Sequence, residues 1–113
     1  MNRMKVSELV KELGLKIKAG ETGLDREVDG CYIGDLMSLA MAKVEENNVW
    51  ITIQTNPNIV AVSVLKEAGC VILADNSEPD ENATAKANEE EIPVLSTDMS
   101  AYELAKRLGE LGI

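Results

Sequence analysis

The sequence predicts an α/β fold: a mostly parallel sheet flanked by helices, with a βαβαβα C-terminal half and N-terminal edge strands. Three observations lead there. From Val49 onward, short β-branched runs alternate with helix-patterned segments over short connections, and such βαβ units close as parallel strands with right-handed crossovers. Cys70-Val71-Ile72-Leu73-Ala74 is apolar without alternation, as a strand covered on both faces should be. Leu15-Lys16-Ile17-Lys18-Ala19 alternates strictly; its outward lysines suit a half-exposed edge strand, where charge discourages pairing with another chain.

The elements follow in order. Ser7 is placed to cap a short helix with Val6, Leu9, Val10 and Leu13 on one side and Gly14 as its stop. The lysine strand comes next, then a turn at Gly20 to Gly23 and a second strand entered through Asp25-Arg26; these strands near residues 15 and 28 are expected at the sheet edge, open to antiparallel pairing. Leu36 to Val44 reads as a helix rich in Leu and Met, and Glu45-Glu46-Asn47-Asn48 as a solvated loop. Val49 to Ile53 is a strand. Asn56 then caps a helix with Pro57 at its first position, where a missing N–H costs nothing. That helix is apolar nearly all round, ends at Gly69, and should be the most buried. After the Cys70 strand, Ser77 to Glu90 reads as a charged surface helix, and Pro93-Val94-Leu95 as the last strand. Ser100 and Glu103 make a capping box for a final helix with Leu104, Leu108 and Leu111 on one face, closed by Gly112.

At 113 residues the chain is expected to form one domain over 1–113 that needs no disulfide or metal staple. Aromatics are limited to Trp50, Tyr32 and Tyr102, so aliphatic side chains must fill the core. A net charge of −9 with no histidine argues against binding nucleic acid or anionic membranes, both of which reward a basic surface. A small anionic ligand held by a few local donors stays compatible with it. Cys31 and Cys70 border apolar runs and read as reduced, buried thiols of a cytoplasmic protein. No CxxC or Cys/His cluster points to a metal or cofactor, and no signal peptide or apolar run of membrane-spanning length is visible.

Chemistry is expected where parallel strands end, because ligands of open α/β sheets lie outside the strand carboxyl ends. Three ends are polar: Gln54-Thr55-Asn56-Pro57-Asn58, Asp75-Asn76-Ser77, and Ser96-Thr97-Asp98-Met99-Ser100. The first and third run into helix N-termini, whose free N–H groups favour an anion; plain capping uses the same residue types. Gln54 and Thr55 precede the cap and are not needed for it. Gly23 to Gly30 forms a further candidate, since a charged Asp25-Arg26 pair at a strand entrance is costly to desolvate unless partnered. It implies a turn in which Asp25 accepts local backbone hydrogen bonds while Arg26 reaches a carboxylate or a ligand, with a surface ion pair to Glu27 or Asp29 as the plainer alternative. There is no GxxxxGK[ST], GxGxxG or GxSxG pattern and no histidine for acid–base work. Asp25, Asp35, Asp75 and Asp98 are acid candidates by position alone, so the chain is not expected to be an enzyme. Leu36, Met37 and Met41 give the second helix two apolar faces, one for the core and one for a symmetric homodimer contact.

The segments Leu24 to Ser38 and Trp50 to Val62 together resemble the DRTGG domain family, and the likeness extends from Met4 to the Thr97 strand end. An Asp-Arg-x-Val-x-Gly strand followed by a strand, a threonine and an Asn-capped helix is an unusual pairing. The resemblance implies a fold similar to the N-terminal domain of HPr kinase/phosphorylase, in a family that accompanies CBS domains in regulatory inserts and occurs in phosphotransacetylase-like proteins. It also implies a stand-alone bacterial member of the kind found beside iron hydrogenase subunits and anti-sigma-type serine kinases. Its motif residues would be Asp25, Arg26, Gly30, Thr52 and Thr55. Where many relatives carry histidine after the threonine-bearing strand this chain has Asn56, and the kinase domain of HPr kinase is absent, so neither an imidazole role nor kinase activity is carried over.

Two functions follow as expectations. One is a regulatory or sensory domain binding a small anion such as an adenine nucleotide, using Asp25, Arg26, Gly30, Thr52, Gln54, Thr55, Asn56, Asn58, Ser96 and Thr97. The other is a homodimeric module that docks through Leu36, Met37 and Met41 on a hydrogenase-associated protein or a serine kinase.

Overall fold

The computed structural model describes residues 3–113. Among these residues seven strands and five α-helices follow in the order β1 (Met4–Lys5), α1 (Val6–Leu13), β2 (Lys16–Ala19), β3 (Glu27–Val28), β4 (Gly30–Ile33), α2 (Met37–Lys43), β5 (Asn48–Thr52), α3 (Asn58–Lys66), β6 (Cys70–Leu73), α4 (Glu81–Glu90), β7 (Val94–Ser96) and α5 (Ala101–Glu110). Five strands form one sheet in the order β2-β7-β6-β5-β4. β4 to β7 are mutually parallel and β2 runs antiparallel to β7, Lys16 opposite Ser96. The α/β fold with a mostly parallel, helix-flanked sheet is as expected.

Because β4, β5, β6 and β7 follow one another across the sheet, their right-handed crossovers put α2, α3 and α4 on one face. There Ala40, Ile59, Val60 and Ala87 meet Trp50, Val71, Leu73 and Val94. On the other face α1 and α5 bring Leu9, Leu13, Leu104 and Leu108 against Val49, Ile51, Ile72 and Leu95. Alternate residues of β5 and β6 thus feed two cores, and every residue of both strands is buried. The fully enclosed Trp50 is the largest of these side chains, and its indole N–H donates to the Gly34 carbonyl at 2.9 Å.

Several local expectations are corrected. Ser7 lies inside α1, where its own N–H bonds the Leu24 carbonyl; the helix is entered at Lys5, whose N–H donates to the Glu8 carboxylate. The strand near residue 28 leaves the main sheet: β3 pairs antiparallel with β1, and β4 takes the sheet edge as a parallel strand. Asn48 is a buried first residue of β5 rather than part of a solvated loop. α3 ends at Lys66 with Glu67 in the left-handed region, and two of its residues, Val64 and Leu65, face solvent. Gly69 is required for another reason, since a Cβ there would lie 2.5 Å from Val28 Cγ1. α4 starts four residues beyond Ser77, because Pro79 disfavours helical geometry in Glu78 and Asp80 then caps Ala83 N at 2.7 Å. The Ser100–Glu103 capping box of α5 forms as read. Cys70 is buried, but Cys31 is exposed on edge strand β4. No helix among the described residues is long and apolar enough to cross a membrane.

Candidate functional site

The parallel arrangement brings the C-terminal ends of β4, β5, β6 and β7 to one rim of the sheet. Asp35, just past β4, joins the first two loops. One of its carboxylate oxygens accepts from Thr52 Oγ1 at 2.7 Å and from Ile53 N at 2.9 Å, and its carbonyl accepts from Gln54 Nε2. Gln54 Oε1 in turn accepts from Asn56 Nδ2, and Asn56 Oδ1 accepts from Asn58 N. The cap position of α3 falls on Pro57 and has no side-chain cap bond, so Asn56 makes a turn just ahead of the helix instead of the cap expected from the sequence. Thr55 holds the next loop through its carbonyl, which accepts from Asp80 N.

The loop after β6 turns through two consecutive left-handed residues, Asp75 and Asn76, at φ of 55° and 61°. Their N–H groups point back to the loop after β7, bonding the Met99 and Thr97 carbonyls. Ser96 Oγ donates to the Ser77 carbonyl, and Thr97 Oγ1 accepts from Met99 N. Each strand-end loop is thereby stitched to its neighbour. Thr52, Ser96 and Thr97 are buried despite their polarity, and each has a hydrogen-bond partner.

Two cations join this rim that the sequence reading did not select for the site. A cavity of about 340 Å³ opens between the start of β2, the end of β7 and α5, with Lys16, Thr97, Asp98 and Arg107 among its lining residues. Lys16 reaches it because β2 is antiparallel, so its first residue lies beside the last residue of β7. Farther along β2, Lys18 pairs with Glu78, and the ammonium holds that carboxyl below the usual carboxylate range.

The remaining selected residues lie elsewhere. Gly30 begins β4, and Asp25 and Arg26 stand beside the start of β7, at the opposite end of strands that span roughly 15 Å. Arg26 Nε donates to the Glu91 carbonyl at 2.9 Å, closing the C-terminus of α4, where a cation also meets the negative end of the helix dipole. The anticipated ion pair with Glu27 or Asp29 is made by Arg3 instead. Asp25 accepts no turn hydrogen bond; its side chain is 93% exposed and faces Lys5 at 3.9 Å. The structure therefore does not bring Arg26 together with the helix N-termini at Asn58 and Ala101.

Of the interface candidates, Met37 packs against the core while Leu36 and Met41 are exposed. Leu39, unselected, is exposed beside them. Cys31 reaches the surface of β4, yet enough protein surrounds it that burial pushes its thiol up to about 11; burial raises Cys70 further.

No curated protein sequence matches the chain. Among solved structures it is similar to the CBS and DRTGG domains of the regulatory region of a Clostridium perfringens pyrophosphatase, complexed with the activator diadenosine tetraphosphate. The TM-score is 0.67 at 11% identity, covering 90% of this chain and 44% of that one, so the present chain spans less than half of its neighbour and the likeness is one of fold. The family model for the DRTGG domain matches residues 8–111. With that match over nearly its whole length, the chain belongs to the DRTGG domain family.

Proposed function

We propose that the chain is a non-catalytic regulatory domain that binds a small anionic ligand, such as an adenine nucleotide, at the C-terminal rim of its parallel strands. The observation that carries the reading is the rim itself, where Thr52, Gln54 and Asn56 stand at and after the end of β5 and an opening beside the end of β7 is lined by Ser96, Thr97 and the two cations Lys16 and Arg107. Parallel sheets bind ligands at this end. The regulatory region of the pyrophosphatase, which contains a DRTGG domain beside CBS domains, is complexed with an adenine dinucleotide, and that supports the nucleotide class here. A thermal-shift screen of adenine and guanine nucleotides, with and without magnesium, tests it. A ligand at about 100 times its Kd adds roughly 2.7 kcal/mol, several degrees for a domain of this size. Absence of a shift with every nucleotide overturns the reading.

A second reading has its own observation. Leu36 is 63% exposed and Ile33, on the outer strand β4, 47%, with Leu39 and Met41 also at the surface. Exposed apolar side chains beside an open strand edge suit a homodimer or docking on a protein partner, such as a hydrogenase-associated protein or a serine kinase. Leu36→Gln with Met41→Gln would convert a dimeric light-scattering mass to a monomeric one without loss of helix signal. A wild-type protein that is monomeric at high micromolar concentration, and captured by neither partner, contradicts this second reading.

A further inference from the structure

We infer that the cavity between β2, β7 and α5 is a phosphate-binding subsite in which Lys16 and Arg107 hold a phosphate monoester and the Thr97 hydroxyl supplies a third donor. The inference deepens the nucleotide reading, and rests on it for the identity of the ester.

Charge balance singles the cavity out. In a chain of net charge −9, cations should seldom dominate any concavity. Here two cations, Lys16 and Arg107, face a single lining carboxylate, Asp98. Four other concavities carry at least as many carboxylates as cations: the hollow at Glu45, Glu46, Lys66 and Glu67, the α5 groove at Glu103, Lys106, Arg107 and Glu110, and the two beside Arg26. A doubly charged anion entering any of those meets repulsion at least as large as the attraction.

The donors come from three different elements, which fixes a place in space rather than a sequence motif. Lys16 opens β2, Thr97 follows β7, and Arg107 lies in the last turn of α5. Among the described residues the Arg107 side chain is engaged only by an exposed pair with Glu110 at 3.8 Å, a weak contact easily exchanged for phosphate oxygens. Thr97 is nine-tenths buried; its oxygen accepts from Met99 N, which leaves the hydroxyl proton for a ligand. Leu13 and Met99 complete the wall and no aromatic ring lines it, so recognition falls on the phosphate rather than on a stacked base. At about 340 Å³ the cavity is within the range of small-ligand sites.

The test titrates the full chain with AMP, adenosine and inorganic phosphate by calorimetry, in wild type, Lys16→Gln, Arg107→Gln and, as a charge-matched control on α5, Lys106→Gln. All three positions are exposed, so folding should be preserved. The expected result is that AMP binds and adenosine does not, that inorganic phosphate competes, and that Lys16→Gln and Arg107→Gln each weaken AMP about tenfold while Lys106→Gln leaves it unchanged. AMP binding that is insensitive to Lys16→Gln and Arg107→Gln overturns the subsite and leaves the nucleotide reading standing. Phosphate binding that depends on both residues without any nucleotide affinity keeps the subsite and overturns the nucleotide reading. Absence of binding by AMP and phosphate alike overturns the subsite.

Discussion

The two ends of the parallel sheet are both polar but use their charge differently. At the strand starts, charges are spent on the fold: Arg26 closes the end of α4 through the Glu91 carbonyl, and Arg3 holds Glu27 and Asp29. Non-glycine residues take left-handed backbone there at Asn47, Glu67 and Glu91, as three chain reversals require. At the strand ends, neutral groups do most of the knitting, through Thr52, Gln54, Asn56 and backbone carbonyls, with the Asp35 carboxylate tying two loops together and the Lys18–Glu78 pair adding a charged link to β2. Cations at that rim line an opening instead of closing a helix. A charged motif in sequence therefore does not announce a binding site; what distinguishes the ends is whether the protein itself already supplies the counter-group.

The largest expected effect is at Trp50, whose ring fills the core and whose N–H fixes Gly34 at the rim. Trp50→Ala should cost about 3–5 kcal/mol in chemical denaturation, and Trp50→Phe about 1 kcal/mol beyond the lost ring area because the Gly34 carbonyl loses its donor. Equal stability of Trp50→Phe and wild type would mean that this hydrogen bond does not anchor the rim.

Next comes the thiol on β4. With its pKa raised from the ordinary range near 9 to about 11, Cys31 should carry roughly a hundredfold less thiolate at neutral pH than a free thiol. Alkylation should be slowed by about that factor, and Cys70 should not react without unfolding. The sign for stability follows. The unfolded chain ionises first, so the contribution of the protonated thiol is intact below about pH 9 and is lost as pH rises toward 11. Alkylation of native Cys31 at the free-thiol rate would contradict this.

Asp35 sharpens the account of the rim. Asp35→Ala removes the acceptor for Thr52 Oγ1 and Ile53 N and should cost about 1–3 kcal/mol, whereas Asp35→Asn keeps an oxygen there and should cost less than half of that. If the two lose stability equally, the negative charge rather than the acceptor geometry is what matters.

The smallest effect is the most diagnostic of the comparison. Arg26→Ala should lower stability by about 1 kcal/mol, the loss of one helix-terminal hydrogen bond at a partly exposed site, and leave AMP affinity unchanged. A loss of affinity without a loss of stability would return Arg26 to the ligand.

The alternating βαβ order, the doubly buried Cys70 strand and the Ser100–Glu103 cap were legible because each depends on neighbours in sequence. The start of α4 was misplaced at Ser77 although a local signal was present, since Pro79 disfavours helix at Glu78 and leaves Asp80 as the cap. Long-range facts were not. Nothing local tells that Val28 pairs with Met4, that Gly69 must make room for Val28, or that Arg26 would find the Glu91 carbonyl. Lys16 was read correctly as an edge lysine, but its place at the rim depends on β2 lying antiparallel beside β7, and Arg107 joins it only because α5 lies across that end. Of the residues selected for ligand binding, those in the strand-end loops share the rim and those in the Asp25–Gly30 segment do not.

Amide hydrogen exchange of the full chain, with and without saturating adenine nucleotide, tests the central claim most directly. The account predicts slowed exchange at Thr97 to Ser100 and at Gln54 to Asn58, with Asp25 to Gly30 unchanged. Protection confined to Asp25 to Gly30 would contradict it and place the ligand at the other end of the sheet.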